Sequence, residues 1–107
     1  MRQIRPRELK AWLDDPQREG PFLLDVRELW EYERCHIPGV RLVPMGSVLA
    51  YLAELDPERE TVVICHHGVR SYHVALFLEH NGFKNVINLS GGVDAWAKEV
   101  DPAMPLY

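Results

Sequence analysis

The sequence has few cysteines, no long apolar run and no excess of basic residues, and each of these absences excludes a class of protein. Its two cysteines, Cys35 and Cys65, are too few for a disulfide framework and lack C-x-x-C spacing. No apolar stretch approaches the ~18 residues of a bilayer-spanning helix, and the first residues lack the apolar centre of a signal peptide. A formal net charge of −4 disfavours nucleic acid as a partner. We therefore expect a cytoplasmic protein with reduced thiols and no nucleic-acid or membrane partner.

The chain is long enough for one small hydrophobic core. With 107 residues and an apolar fraction of 47%, it needs neither disulfides nor metal ions to fold. We expect a single domain over residues 1–107, with an irregular, proline-rich tail from about residue 101.

Short β-type runs alternate with helical stretches along the chain. The predicted strands cover residues 3–4, 22–26, 40–43, 61–64 and 86–89. The predicted helices cover residues 6 to about 13, 28 to about 34, 47–55, 71–80 and a last segment that carries Trp96. The residues predicted to be buried or half-buried aromatics are Trp12, Trp30, Trp96, Phe22, Phe77 and Phe83. The alternation predicts an α/β fold, with a mostly parallel sheet covered by helices on both faces.

The segment Cys65-His66-His67-Gly68-Val69-Arg70-Ser71 joins a predicted strand to a predicted helix. Ligand sites of open parallel sheets lie beyond the carboxyl ends of the strands, where Asp25 and Cys65 are both placed. Amide groups and the helix dipole at such a position stabilise a thiolate, so Cys65 is expected to be nucleophilic near neutral pH. Gly68 lets the loop adopt a positive φ angle and lets the backbone approach the sulfur.

Four separate motifs resemble those of the rhodanese (sulfurtransferase) family. They are Leu23-Leu24-Asp25-Val26-Arg27 with Glu31-Tyr32, then His36-Ile37-Pro38-Gly39, the C-x-x-G-x-R loop of residues 65–70, and Gly91-Gly92-Val93-Asp94-Ala95-Trp96. The C-x4-R pattern alone is a weak signal, but the four motifs follow the family's order and spacing over nearly the whole chain. This resemblance implies a rhodanese-like domain with a central five-stranded parallel sheet between helices.

The same resemblance implies a sulfurtransferase of the thiosulfate sulfurtransferase type. Cys65 would take a sulfane sulfur from a small-molecule donor such as thiosulfate and hold it as a persulfide. It would then pass the sulfur to a thiol in cells or to cyanide in assays, with ping-pong kinetics. The resemblance implies no metal and no organic cofactor, and a protein of a sulfur relay is a candidate partner.

Two other functions are kept as alternatives. Cysteine phosphatases that resemble this fold use a C-x5-R loop to surround a phosphate, whereas this chain has the shorter C-x4-R. The shorter loop favours sulfur over a phosphoryl group and so disfavours a cysteine phosphatase or arsenate reductase. A non-catalytic rhodanese-like binding or regulatory module is disfavoured because Cys65 is present.

The charged residues near the loop have two readings. Arg70 either acts as a cation beside the thiolate or donor, or forms a structural ion pair with Asp25 as the expected partner. Asp25, Arg27 and Glu31 are expected to be a paired scaffold, since buried polar groups must be paired.

The two histidines of the loop, His66 and His67, also have two readings. They either contact the substrate or point into solvent and contribute only their amides. As mostly neutral imidazoles they would attract an anionic donor weakly. A zinc site formed by Cys65, His66, His67 and His73 is disfavoured because adjacent histidines rarely converge on one ion.

Cys35 and His36 belong to the turn before the third predicted strand. His36 is expected to make a structural hydrogen bond. Cys35 stands where the family usually has glycine, which leaves the geometry of the turn in doubt. We expect a passive small residue there, although a cysteine can in principle resolve a Cys65 persulfide by forming a disulfide.

Overall fold

Five parallel strands form a sheet between two layers of helices in the computed structural model, which describes all 107 residues. The strands are β1 (Arg2–Ile4), β2 (Phe22–Asp25), β3 (Arg41–Leu42), β4 (Thr61–Ile64) and β5 (Val86–Leu89). The helices are α1 (Pro6–Asp14), α2 (Leu29–Arg34), α3 (Val48–Tyr51), α4 (Val69–His80) and α5 (Gly92–Glu99). Both the predicted α/β class and the five-stranded parallel sheet are confirmed.

The strand order β1-β5-β4-β2-β3 places β4 at the centre of the sheet. Asp25, the last residue of β2, lies opposite Ile64, the last residue of β4, and Cys65 follows directly. The predicted meeting of Asp25 and Cys65 at the carboxyl edge of the sheet is therefore correct. This edge carries the candidate site.

Successive residues of the central strands face opposite sides of the sheet and build two separate cores. One core contains Leu23, Val62 and Ile64 and packs against α1 and α5. The other contains Leu24 and Val63 and packs against α3 and α4. Cys35 belongs to the first core and Cys65 to the second, so the two cysteines lie on opposite faces of the sheet.

The third helix is shorter than the sequence predicted. Residues 47–55 form the single α-helical turn of α3, flanked by the 3₁₀ turns Met45–Ser47 and Leu52–Glu54. Val48 is buried, but Leu49 is exposed. Because α3 has only one α-helical turn, it cannot bury a continuous apolar face as a longer amphipathic helix does.

Trp30 was predicted to be buried or half-buried, and this prediction is wrong because its side chain is 63% exposed. Helix α2 turns Glu31 and Cys35, which are four residues apart and share one face, toward the protein. Trp30 precedes Glu31 by one position and therefore faces outward. The predicted burial of Trp12, Trp96 and Phe83 is correct.

Helix α4 begins at Val69, two residues before the predicted start. The preceding Gly68 adopts a left-handed conformation with φ 96°, which turns the chain directly into the helix. As a result Arg70 and Ser71 belong to the first helical turn, not to the connecting loop.

None of the helices in the fold is long and apolar enough to cross a membrane. Residues 101–107 form neither a helix nor a strand.

Candidate active site

The sulfur of Cys65 accepts a hydrogen bond from the loop that encloses it. The amide N–H of Gly68 donates to Cys65 Sγ at 3.0 Å, and Ser71 Oγ lies 3.3 Å from the same sulfur. Gly68 is also the N-cap of the twelve-residue helix α4, so the sulfur lies at the positive end of the helix dipole. Surroundings of this kind suit a thiolate in general, and the nucleophilic role of Cys65 stays a prediction.

Asn88 in strand β5 fixes both hydrogen-bonding groups around the sulfur. Its side-chain oxygen accepts the hydroxyl proton of Ser71, and its side-chain NH₂ donates to the carbonyl oxygen of Gly68 at 3.1 Å. When Cys65 ionises, a rotation of the Ser71 hydroxyl supplies a second donor to the sulfur. Sequence reasoning missed this residue, although a polar side chain within an otherwise apolar strand that is buried on both faces was a usable signal.

Gly68 and Gly92 are the two positions where the loop needs glycine. A Cβ atom on Gly68 would lie 3.1 Å from the amide nitrogen of Gly91, and the φ of 96° is one that other residues rarely adopt. A Cβ atom on Gly92 would collide with the backbone of Cys65 and His66. The close approach lets the N-terminus of α5 bind the loop, because the Val93 amide donates to the Cys65 carbonyl at 2.9 Å.

Arg70 forms its ion pair with Glu31 and not with the expected partner, Asp25. The two guanidinium NH₂ groups donate to the two Glu31 carboxylate oxygens at 2.7 and 2.8 Å. These hydrogen bonds lower the pKa of Glu31 to about 2 and raise that of Arg70. Arg70 therefore forms an ion pair, as one of the two interpretations predicted, but the predicted partner was wrong.

Asp25 is unavailable to Arg70 because Arg27 already occupies it. The Arg27 guanidinium donates to both Asp25 oxygens, at 3.0 and 2.7 Å, and both side chains are fully buried. Burial opposes the charge of Arg27, but its hydrogen bonds to Asp25 and Tyr107 outweigh burial and raise its pKa above the ordinary value. Arg27 also donates to the Cys35 carbonyl at 2.7 Å and so anchors the turn after α2.

Tyr107, which sequence reasoning also missed, joins the two ion pairs. Its hydroxyl donates to Glu31 Oε2 and accepts from Arg27 Nη1, both at 2.9 Å. Burial raises the pKa of Tyr107 to about 12. No local signal identifies this contact, because Tyr107 lies 76 and 80 residues from its two partners.

The two loop histidines have different surroundings. His66 stacks on the Tyr107 ring, with centroids 3.8 Å apart, and its buried Nε2 has no hydrogen-bond partner in the protein. Burial, followed by the proximity of His67, lowers the pKa of His66. His67 is largely exposed, with its Nε2 4.0 Å from Asp94. The alternative in which both side chains point into solvent is therefore wrong for His66 and fits His67, and substrate contact by either residue stays a prediction.

One ligand atom each from His66, His67 and Asp94 lies within 4.8 Å of the others. The centroids of the two imidazole rings are 3.9 Å apart, and the ring planes are tilted by 33°. Asp94 is also occupied by Lys98 at 3.0 Å, which lowers its pKa. The absence of a metal site therefore stays a prediction from the sequence.

Cys35 adopts an extended backbone with φ −168°, a conformation open to any residue, so the turn does not require the family's glycine. The side chain is buried in the core beside α1 and α5. His36 Nδ1 donates to the Tyr32 carbonyl at 2.9 Å, which confirms the predicted structural hydrogen bond.

Comparison with known proteins gives one consistent result. The family profile described as "Rhodanese-like domain" matches residues 5–99. The chain is 31% identical to the thiosulfate sulfurtransferase GlpE of Haemophilus influenzae, with 99% of this chain and 97% of that protein covered. A crystal structure of a rhodanese-like domain protein from Staphylococcus aureus is 32% identical, with a TM-score of 0.85 and coverage of 94% of this chain and 95% of that one.

The chain also matches part of some longer proteins. It is 38% identical to the probable adenylyltransferase/sulfurtransferase MoeZ of Mycobacterium tuberculosis over 97% of this chain. The matched region is only 26% of MoeZ, so the chain spans about a quarter of that relative.

Proposed function

Because this chain belongs to the rhodanese-like family of sulfurtransferases, we propose that Cys65 carries a sulfane sulfur, as a persulfide, from a donor to a nucleophilic acceptor. One observation carries the proposal: at the start of α4 the Gly68 N–H donates to Cys65 Sγ at 3.0 Å, and the Ser71 hydroxyl lies 3.3 Å from the same sulfur. The same donors that stabilise a thiolate also suit the anionic outer sulfur of a persulfide.

In the first half-reaction, the Cys65 thiolate attacks the outer sulfur of a donor such as thiosulfate. A bond forms between Sγ and that sulfur, the sulfur–sulfur bond of the donor breaks, and its electron pair leaves with sulfite. In the second, a thiolate or cyanide attacks the terminal sulfur of the persulfide, and Cys65 departs as a thiolate. The product is an organic persulfide or thiocyanate, and no external oxidant or reductant is needed.

The residues in and around the loop have different roles in the proposed reaction. The Gly68 amide and the Ser71 hydroxyl hold the sulfur, and His66, His67 and Val69 complete the enclosing loop. Arg70 supplies positive potential beside Cys65, although its pairing with Glu31 offsets much of that charge. Asp25 and Arg27 are buried support for the loop and do not contact the sulfur.

The surface around the loop favours a protein as the acceptor. Cys65 is only 1% exposed, so an acceptor has to present a projecting nucleophile. Six of the nine exposed large apolar side chains lie in segments that follow the carboxyl ends of β2, β3 and β4. They are Leu29, Trp30, Met45, Leu49, Val69 and Tyr72. Exposed apolar side chains at the end of the sheet that carries the reactive site suit a protein interaction surface.

Intact-mass measurement after incubation with thiosulfate tests the proposal. We expect the mass to increase by one sulfur atom, cyanide to remove that sulfur, and Cys65→Ala to abolish the gain. Cys35→Ala is the matched control and retains the gain. Turnover of an aryl phosphate without sulfur uptake would establish a phosphatase instead, and the absence of both reactions would leave a binding module.

A further inference from the structure

Tyr107 contacts both the Cys65 loop and the two neighbouring ion pairs. Its ring lies parallel to His66, with an angle of 6° between the planes, and its hydroxyl bridges Glu31 and Arg27. The Trp30 ring packs nearly perpendicular to the Tyr107 ring, with centroids 5.7 Å apart. The ring is thereby fixed by contacts on several sides.

His66 follows the reactive cysteine directly, so its charge state affects the potential at the sulfur. The Tyr107 ring covers one of its faces, and His67 lies against it as well. A proton on the buried Nε2 would have no acceptor in the protein. Burial beneath the Tyr107 ring and the unpartnered Nε2 therefore favour the neutral imidazole.

The other charged groups around His66 do not supply the positive charge that a neutral His66 lacks. Arg70 is paired with Glu31, and Asp94 is paired with Lys98. Glu31 and Asp94 favour protonation of His66, whereas His67, Arg70 and burial oppose it. The net result is a loop with little free positive charge toward a doubly charged anion such as thiosulfate.

We infer that Tyr107 is a positioning residue that keeps His66 uncharged and thereby limits the affinity of the loop for dianionic sulfur donors. The inference rests on the proposed function and assigns specificity to a residue outside the four motifs. The ring and the hydroxyl have separable roles. The ring controls His66, while the hydroxyl fixes Glu31 and, through it, Arg70.

Tyr107→Ala and Tyr107→Phe separate these roles. Alanine exposes His66, so its pKa rises toward the ordinary value of about 6.5. In this variant the thiosulfate KM falls by about threefold or more from pH 8 to pH 6, because one added positive charge attracts the dianion. Phenylalanine retains the stack and the wild-type pH profile. It lowers kcat/KM by about tenfold at every pH, as expected for the loss of a hydrogen bond to a charged group.

NMR titration of His66, together with thiosulfate kinetics between pH 6 and 8.5, provides the test. Tyr32→Ala is the matched control, because Tyr32 stacks on His36 in nearly the same geometry, with centroids 3.9 Å apart and 7° between the planes. This control leaves the His66 titration unchanged. Adding His66→Gln to Tyr107→Ala abolishes the fall in KM at pH 6.

Two results would overturn the inference: an unchanged His66 titration in Tyr107→Ala, or a fall in KM that persists in the double variant. If Tyr107→Ala does not fold, Tyr107→Thr likewise removes the ring that covers His66, and the same two outcomes apply to it. The NMR titration needs no turnover. A wild type that takes up no sulfur therefore refutes the proposed function, while the role of Tyr107 is still decided by the titration.

Discussion

Replacing Glu31 by glutamine removes the charge that joins α2 to the first turn of α4 while preserving the size of the side chain. The Glu31 side chain is 4% exposed and accepts two hydrogen bonds from Arg70 and one from Tyr107. Glutamine can still accept a hydrogen bond, but it offers no carboxylate to the guanidinium. The substitution therefore isolates the ionic part of the contact.

The size of the effect follows from the pKa of Glu31, which is lowered from 4.5 to about 2. This difference corresponds to roughly 3 kcal/mol of folding free energy, because the folded protein binds the proton more weakly than the unfolded chain. The stabilisation is complete well above pH 4.5 and is lost as the pH falls through about 2. By pH 3 about 2 kcal/mol of it is already lost.

Urea unfolding of wild type and Glu31→Gln at pH 7, 4 and 3 measures this contribution. We expect the variant to be less stable by roughly 3 kcal/mol at pH 7, and the difference to shrink to about 1 kcal/mol at pH 3. Glu33→Gln is the control, since Glu33 is an exposed residue of the same helix. A difference between wild type and Glu31→Gln that stays constant with pH would refute the ionic argument.

Two further predictions concern the loop itself. Ser71→Ala removes the hydroxyl 3.3 Å from Cys65 Sγ, so we expect iodoacetamide to alkylate Cys65 about threefold to tenfold more slowly at pH 7, with Ser47→Ala unchanged. An equal alkylation rate would exclude a stabilising role for Ser71. Gly68→Ala forces φ 96° on a residue with a Cβ atom, which costs about 1–2 kcal/mol of unfolding free energy. Gly20→Ala, where φ is not positive and no atom lies near, is the control, and equal losses in both variants would contradict the strain argument.

The sequence predicted those parts of the molecule that depend on neighbouring residues. The alternation of strands and helices, the place of Cys65 after β4 and the positive φ of Gly68 all follow from short patterns. The predicted bounds of α2 and α4 lie within two residues of the observed ones, but the predicted partner of Arg70 was wrong. Arg70 was assigned to Asp25 because both were expected near one sheet edge, but the choice between two nearby carboxylates depends on side-chain packing.

Arg27 determines which of the two carboxylates pairs with Arg70. It lies two residues after Asp25 and takes both carboxylate oxygens, which leaves Glu31 for Arg70. Tyr107 could not be found from any local pattern, because its contacts join segments that are far apart in sequence. Pairing partners and long-range contacts of this kind are fixed by the tertiary structure and not by spacing along the chain.

The separation of the two cores also determines where a sulfur on Cys65 can go. A thiol near a persulfide can attack it, release hydrosulfide and leave a disulfide, which would end the transfer without an acceptor. Cys35 is the other thiol of this chain, and the sheet stands between it and Cys65. Under the proposed function, Cys35 therefore cannot resolve a persulfide on Cys65 within the same domain. The sulfur stays on Cys65 until a nucleophile from outside the domain attacks it.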